Sequence, residues 1–288
     1  MDTTRQGAAV NARGIGVEGP RGWAFRGVDV SAEPGTLIAV QGPSGSGRTC
    51  LLLALTGRMR ITEGDATVAG FPLPKRMGAV RGRTALAHVP GVADLEPALT
   101  AGEHLQEQAL LGHRLQGTLS GSLPWGRRHK ETTRARIEAA LAAVGLDPDT
   151  LPKGLRTAVR DLERLEALRL SLALAVMHGP QLLAVDDVDL KLSADERALA
   201  WQLLRDLALA GTTVVASGSD APSDALVVRT RQAATARTGP GAASGQDGQD
   251  SQDGQDAPAS PTTTSGRNDP ADTDEEEAAH AFAATGRA

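Results

Sequence analysis

A glycine-rich segment, GPSGSGRT at residues 42–49, has the residue types and spacing of a loop that binds phosphate groups. Its three glycines allow the backbone to curl until consecutive amide groups face inward as a nest for an anion. Arg48 occupies the position where this motif has lysine, which keeps the positive charge but places it on a bulkier, planar group. The segment therefore predicts that nucleotide phosphates bind here, more weakly than to a loop with lysine.

The sequence around this loop supports the same chemistry. An apolar strand is predicted to end at Gln41 and an amphipathic helix to begin near Arg48, so the positive end of the helix would face the phosphates. Thr49 is placed for a magnesium ion. The alternative is a glycine- and serine-rich turn before an ordinary helix. The predicted nucleotide-binding residues are Gly42, Pro43, Ser44, Gly45, Ser46, Gly47, Arg48, Thr49 and Cys50.

Cys50 supports two interpretations. A thiol at a helix N-terminus beside Arg48 has its thiolate stabilised, which predicts a lowered pKa and a reactive side chain. The second interpretation is a small buried side chain that fills space.

Two carboxylates follow a second apolar strand, in the segment QLLAVDDVD at residues 181–189. Asp186 is the predicted magnesium ligand, directly or through water, and Asp187 is the predicted catalytic residue, which would polarise the attacking water. Acidic residues are common at strand ends, so this assignment depends on the phosphate loop. Together the two segments predict ATP and Mg²⁺ as cofactors.

The elements that must position these residues alternate along the chain. Continuous apolar runs predict strands buried on both faces, and helical patterns separate them, which indicates an α/β fold with a layered sheet. The predicted strands are 36–41, 182–185 and 213–217, and the predicted helices are 48–57, 132–144 and 161–177. An antiparallel β patch is predicted before them, where residues 22–35 have the pattern of a strand and a turn.

Composition excludes several classes of protein. The single cysteine excludes a disulfide framework and fits a reducing cytoplasm. The six histidines have no paired spacing typical of a metal site, and there is no run of about 18 apolar residues that would span a membrane. The N-terminal residues have no apolar region typical of a signal peptide.

Charge and composition change near Arg237. Residues 238–288 contain ten acidic and two basic residues in a Gly/Ser-Gln-Asp repeat, and we expect a disordered, acidic, low-complexity tail. Its DEEE segment at 274–277 is either a solvated end or an acidic docking element. Residues 1–237 contain 28 basic and 25 acidic residues, so this predicted domain is near neutral and predicts no binding of nucleic acid.

The chain resembles the ATP-binding subunits of ABC transporters over roughly residues 10–235. EPGTLIAVQGPSGSGRTCLLLALTGRM is similar to the strand, phosphate loop and first helix of that family, and LALAVMHGPQLLAVDD is similar to its Walker B region. LTAGEHL at 99–105 resembles the opening of its helical subdomain, and AALAAVGLD at 139–147 resembles a helix within it.

This resemblance implies a P-loop NTPase fold with an inserted helical subdomain at about 98–178. It also implies a separately encoded transmembrane subunit as partner, and a position in the cytoplasm at the inner face of the cell membrane through that partner. The family dimerises, so a homodimer or a heterodimer with another ATP-binding subunit is expected. A kinase or GTPase with the same loop would leave the helical-subdomain similarities unexplained.

Several family motifs are altered. Leu162–Glu166 (LERLE) occupies the place of the Leu-Ser-Gly-Gly-Gln signature, which in the family meets the γ-phosphate held by the opposite subunit. Single positions differ as well. These are Gly91 for the Q-loop glutamine, Asp187 for the catalytic glutamate, Val188 for the proline after it, Ser193 for the D-loop aspartate and Ser219 for the switch histidine.

The sequence is compatible with two functions. The first is an ATP-binding subunit with weak or partner-dependent hydrolysis that drives a membrane subunit. The second is a pseudo-ATPase that does not hydrolyse ATP and acts as a regulatory or scaffolding partner.

Deletion of residues 238–288 is expected to leave the unfolding midpoint within about two degrees of the full chain, because unpacked surface segments contribute little to stability. Thermal unfolding followed by circular dichroism tests this. A drop of about ten degrees would show that the tail packs on the domain.

Overall fold

The structure is a computed structural model that describes residues 7–116 and 127–231. These residues lie within a unit of residues 1–237, and the predicted tail lies outside the described residues. The strands are β1 (Val10–Gly19), β2 (Gly22–Ala32), β3 (Leu37–Gln41), β4 (Glu63–Val68), β5 (Phe71–Leu73), β6 (Thr84–Leu86), β7 (Leu182–Val185), β8 (Thr213–Ser217) and β9 (Leu226–Arg229). The α-helices are α1 (Arg48–Leu55), α2 (Met77–Arg81), α3 (Ala101–Gln116), α4 (Arg127–Val144), α5 (Arg164–Val176) and α6 (Ala194–Leu209).

A five-stranded parallel sheet with the order β6-β7-β8-β3-β9 forms the centre of the unit. A four-stranded antiparallel sheet with the order β2-β1-β4-β5 packs beside it. The predicted α/β class and the predicted antiparallel patch are therefore confirmed. The three predicted strands correspond to β3, β7 and β8, and β7 and β8 have the predicted bounds.

The parallel sheet is buried on both faces, as the continuous apolar runs predict. On β3, the side chains of Ile38 and Val40 pack with α1 and the antiparallel sheet, while Leu37 and Ala39 pack with the other helices. The same alternation on β7 and β8 divides the core into two clusters, one on each side of the sheet. Because successive side chains of a strand point to opposite faces, each strand contributes to both clusters.

The inserted helical subdomain lies between β6 and β7 and contains α3, α4 and α5, which pack against one another. The start of the predicted helix 161–177 differs from the structure. Residues 159–161 form a single 3₁₀ turn, Leu162 and Glu163 are extended, and α5 begins at Arg164. A carboxylate oxygen of Glu166 accepts the backbone N–H of Glu163 at 2.8 Å, which caps the helix at this point.

Three other helix bounds also differ from prediction, and one of them is the end of α5 at Val176, one residue before the predicted end. Helix α1 ends at Leu55, before the predicted Gly57, because Gly57 has a φ of 70° and lies in the left-handed region that ends a helix. Helix α4 begins at Arg127, five residues before the predicted start. Within the described residues, no helix is long and apolar enough to cross a membrane.

Candidate nucleotide-binding site

The phosphate loop connects the end of β3 to the start of α1, as the sequence predicts. Gly45 and Gly47 have φ values of 78° and 83°, which side-chain-bearing residues rarely adopt. A Cβ atom at Gly47 would collide with the carbonyl oxygen of Ala24 on β2, so this glycine also allows close packing of the loop. Helix α1 thereby presents its N-terminal amide groups at the carboxyl edge of the parallel sheet, where α/β proteins bind ligands.

A buried hydroxyl pair holds the loop in place. Ser46 is fully buried, and its hydroxyl oxygen lies 2.7 Å from that of Thr230, just after β9. Thr230 in turn donates its backbone N–H to the carbonyl of Gln41 at 2.8 Å. No sequence pattern predicts this contact, because Thr230 is 184 residues from Ser46 and belongs to no recognisable motif.

The predicted magnesium ligands lie together. The hydroxyl of Thr49 donates to one carboxylate oxygen of Asp186, and the other oxygen accepts from the hydroxyl of Ser217 and, at 3.1 Å, from the N–H of Asp187. Asp186 is buried at the end of β7. A hydroxyl and a carboxylate are the oxygen ligands that Mg²⁺ takes when it is also bound by substrate phosphates, so these residues fit the predicted ion.

Arg48 does not project into an open loop, because it forms an ion pair with the predicted catalytic residue. Its Nη2 lies 3.0 Å from Oδ1 of Asp187, and the two side chains are 20% and 30% exposed. Asp187 has a φ of 45° and donates its N–H to Ser217 Oγ at 2.9 Å. Burial and then the charge of Asp186 raise the pKa of Asp187, and Arg48 only partly opposes them. The ion pair thus joins the phosphate loop to the Walker B segment.

A cavity of about 160 Å³ lies beside Asp187, on the side of the helical subdomain. Arg164 extends into it from the start of α5, with Nη2 at 3.1 Å from Nε2 of His88 and Nε at 3.4 Å from the carbonyl oxygen of Leu190. Burial and then the charge of Arg164 lower the pKa of His88, in spite of the nearby carboxylates, which favours a neutral ring that accepts this hydrogen bond. The lining residues are His88, Asp94, Leu95, Val159, Arg164, Ala167, Leu168, Asp187, Val188 and Leu192.

From the sequence, His88 is not identified as part of this site, and Arg164 is placed only within the altered signature segment. The available signal was position: His88 follows β6, which neighbours β7 in the sheet, so its backbone lies at the same edge as Asp186. The N–H of Asp186 donates to the carbonyl of His88 at 2.7 Å. Gly91, the predicted Q-loop position, instead lies in a turn in which its N–H donates to Asp94 at 2.6 Å.

The residues at the other altered motifs have local structural contacts. The N–H and hydroxyl of Ser219 both donate to Asp189. Burial acts to raise the pKa of Asp189, but these hydrogen bonds outweigh it and hold that pKa below its usual value. The hydroxyl of Ser193 accepts the N–H of Glu196 at 3.3 Å and caps α6. These side chains stabilise loops and helix ends.

Cys50 is half-buried and packs against the core cluster on the α1 side of the sheet. Burial, and then the charge of Asp186, raise the pKa of its thiol. The expectation of a lowered thiol pKa is therefore wrong. Loss of water contact and the nearby carboxylate of Asp186 both disfavour the thiolate at this position, which favours the interpretation of a small packed side chain.

The sequence profile of the ABC transporter family matches residues 25–189, from β2 through the phosphate loop to the Walker B segment. The chain belongs to the ABC transporter family. The resemblance inferred from its motifs is confirmed.

Relatives within this family include ATP-binding subunits and a larger transporter. The chain is 29% identical to Nod factor export ATP-binding protein I of Rhizobium etli over 182 residues, which cover 63% of this chain and 51% of that protein. It is 30% identical to ABC transporter G family member 13 of Arabidopsis thaliana over 200 residues, which cover 69% of this chain and 27% of that protein. The chain thus matches about half the length of the Nod factor export proteins.

Solved structures of ABC cassettes share the fold. The dimeric structure of MJ0796, a bacterial ABC transporter cassette, has a TM-score of 0.60 at 19% identity and covers 77% of this chain and 94% of its own. CbiO1 of Clostridium perfringens, part of the ABC transporter complex CbiONQ, has a TM-score of 0.58 at 16% identity and covers 75% and 80%.

Substitution Arg48→Lys is expected to strengthen ATP binding several-fold, because a compact ammonium group fits the loop better than the planar guanidinium group. Calorimetric titration with Mg-ATP measures this, with Arg26→Lys on the exposed surface of β2 as the control. Hydrolysis should stay slow, since Asp187 and Ser219 are unchanged. Equal or weaker affinity of the lysine variant would contradict the steric argument.

Substitution Asp187→Asn is expected to raise the affinity for both ATP and ADP about fivefold, or about 1 kcal/mol, because it removes a carboxylate that pairs with Arg48 beside the phosphates. Asp220→Asn makes the same charge change at an exposed residue and should leave both affinities unchanged. If the ADP affinity of the Asp187 variant equals that of the wild type, the ion pair does not compete with nucleotide.

Proposed function

We propose that the chain is an ATP-binding subunit of an ABC-type transporter, with weak or partner-dependent hydrolysis that drives a separate membrane subunit. The observation that carries the proposal is the contact of Thr49 with Asp186 beneath an intact glycine loop. These are the groups that a Mg-ATP complex requires: amide donors for the phosphates and two oxygen ligands for the ion. Family membership and the names of the relatives give independent support.

Each retained group has a distinct role in binding. The loop amides and the N-terminus of α1 would hold the phosphates, while Thr49 and Asp186 would hold Mg²⁺, which neutralises phosphate charge when bound. When nucleotide binds, the guanidinium group of Arg48 would move from Asp187 to the phosphates. Its positive charge would therefore face a negative charge both with and without nucleotide. Asp187, released from the ion pair, is the group available to polarise an attacking water.

Slow hydrolysis follows from the geometry of Asp187. Aspartate is one methylene shorter than the glutamate of the family, and a displacement of about 1 Å costs on the order of a hundredfold in rate. Its raised pKa also reduces the fraction of the carboxylate form at low pH. Ser219 stands where the resemblance places the switch histidine, and its hydroxyl already donates to Asp189, so this position would not supply the group that stabilises the transition state.

The second candidate is a pseudo-ATPase with a regulatory or scaffolding role, and the signature region favours it. Glu166 caps α5, and Arg164 points to its own subunit at His88, so these residues have contacts within the chain. If the carboxylate of Glu166 faced the triphosphate bound to an opposite subunit, the two negative charges would repel each other. A heterodimer with a relative whose signature is intact would bring that signature to the nucleotide site that contains Arg48.

The decisive experiment measures steady-state ATP hydrolysis by the full chain with and without its membrane partner, together with Mg-ATP affinity. We expect micromolar to millimolar binding that Thr49→Ala weakens in the presence of Mg²⁺, and turnover that rises when the partner is present. Binding without turnover under both conditions supports the pseudo-ATPase. Absence of nucleotide binding would contradict the first candidate and would leave the pseudo-ATPase, with a scaffolding role that does not use nucleotide.

A further inference from the structure

A group of basic side chains lies on the segments between the end of α1 and the start of β6, at the end of α1 opposite to the phosphate loop. We call it the basic patch. Its members are Arg58, Arg60, Lys75, Arg76, Arg81 and Arg83. All but Arg58 are exposed, and Arg58 is half-buried.

The fold brings the segments that carry the basic patch together. Helix α2 packs on the left-handed turn that ends α1, where Gly57 leaves room for the backbone of Met77. Nη1 of Arg81 donates to the carbonyl of Gly57 at 2.9 Å, and Nη1 of Arg58 donates to the hydroxyl of Thr84 at 3.0 Å. Burial and then the charge of Arg81 lower the pKa of Arg58, as expected for like charges held close together.

Little negative charge compensates the basic patch. Residues 58–83 contain only two acidic residues, Glu63 and Asp65, and Glu63 pairs at 2.6 Å with Arg26 on β2. Across the described residues, none of the six basic side chains has an ion-pair partner.

The numbers of basic and acidic residues in the unit also show that its positive charge is concentrated in the basic patch. Residues 1–237 contain 28 basic and 25 acidic residues, and residues 58–83 contain six and two of them, which leaves 22 basic and 23 acidic residues elsewhere. The positive excess of the unit therefore lies within this short stretch. Because like charges at close range repel, an uncompensated group of this kind gains free energy when it meets an anionic partner.

We propose that the basic patch binds the anionic phospholipid headgroups of a membrane surface. The charged groups are carried by long exposed side chains on several short segments, which suits a diffuse, fluid layer of negative charge. Each lysine or arginine near such a surface contributes about 1 kcal/mol, and groups of about four to eight are typical of lipid-binding proteins. Phe71, whose half-buried ring lies 4.3 Å from the guanidinium carbon of Arg83, adds apolar surface beside the charges.

This inference rests on the proposed function in one respect, since a transporter subunit works at a membrane. Contact with headgroups would hold the subunit at the bilayer independently of its membrane partner. It would also limit the orientations in which the subunit meets that partner. Nucleotide binding does not depend on the basic patch, so the two proposals can fail separately.

The test uses the full chain and vesicle flotation. Vesicles of phosphatidylcholine with about a third phosphatidylglycerol should bind the wild type, and pure phosphatidylcholine should not. Binding should weaken as salt is raised, because salt screens exposed charges. The triple variant Arg60→Gln, Lys75→Gln, Arg76→Gln should lose about a hundredfold in vesicle affinity.

A matched control separates the basic patch from net charge. The triple variant Arg13→Gln, Arg21→Gln, Arg156→Gln also removes three exposed positive charges, from other segments, and should keep vesicle affinity within about threefold of the wild type. Mg-ATP affinity, measured on the same samples, should be unchanged in both variants.

Three results would overturn the proposal. The first is equal binding to neutral and anionic vesicles, or to neither. The second is an equal loss of vesicle affinity in the two triple variants. The third is binding of polyglutamate or duplex DNA without vesicle binding, which would assign the basic patch to an acidic protein or to nucleic acid. If any of these occurs while Mg-ATP still binds, only the lipid proposal fails.

Discussion

The contact between the start of α1 and the end of β7 is the interaction on which the rest of the site depends. Thr49 and Arg48, adjacent in sequence, reach Asp186 and Asp187, which are also adjacent. The two strands that carry these segments, β3 and β7, are separated by β8, and Ser217 at the end of β8 fills the space between them with a hydroxyl that both aspartates share. Three parallel strand ends therefore form one polar surface at a single edge of the sheet.

Contacts within the chain balance part of the charge of this surface. Asp186 and Asp187 would repel each other, but the first accepts hydrogen bonds from two hydroxyl groups and the second pairs with Arg48. On the proposed function, a nucleotide would bring several negative charges, so Arg48 would move from Asp187 to the phosphates and Mg²⁺ would replace the hydroxyl contact between Thr49 and Asp186. The net free energy of nucleotide binding would therefore be smaller than the free energy of the phosphate contacts alone, because the contacts of Arg48 with Asp187 and of Thr49 with Asp186 would be lost.

The residues that the family resemblance places at the signature and switch positions have structural contacts within the chain. Arg164 bonds to His88, Glu166 caps α5 and Ser219 bonds to Asp189. Each contact stabilises a helix start or a loop around the Walker B segment. The same residues cannot act on a nucleotide unless those contacts break, which links the fold of the helical subdomain to the slow chemistry proposed for the site.

The sequence by itself determined the elements whose signal is local. The glycine spacing fixed the phosphate loop, and continuous apolar runs fixed β3, β7 and β8, because burial on both faces requires apolar residues at every position. It also placed Thr49 and Asp186 together, since the carboxyl ends of parallel strands meet at one edge of the sheet. Helix ends were less well predicted, because the cap at Glu166 and the left-handed turn at Gly57 depend on backbone geometry.

The tertiary structure decided what no local pattern encodes. It paired Arg48 with Asp187, although the two residues are 139 positions apart and either could have faced solvent. It placed His88 and Thr230 at the site through sheet order, and it buried Cys50 enough to raise the pKa of a thiol whose position in sequence indicated the opposite. Long-range packing sets dielectric surroundings and charge partners, and these are the quantities that a linear pattern of residues leaves undetermined.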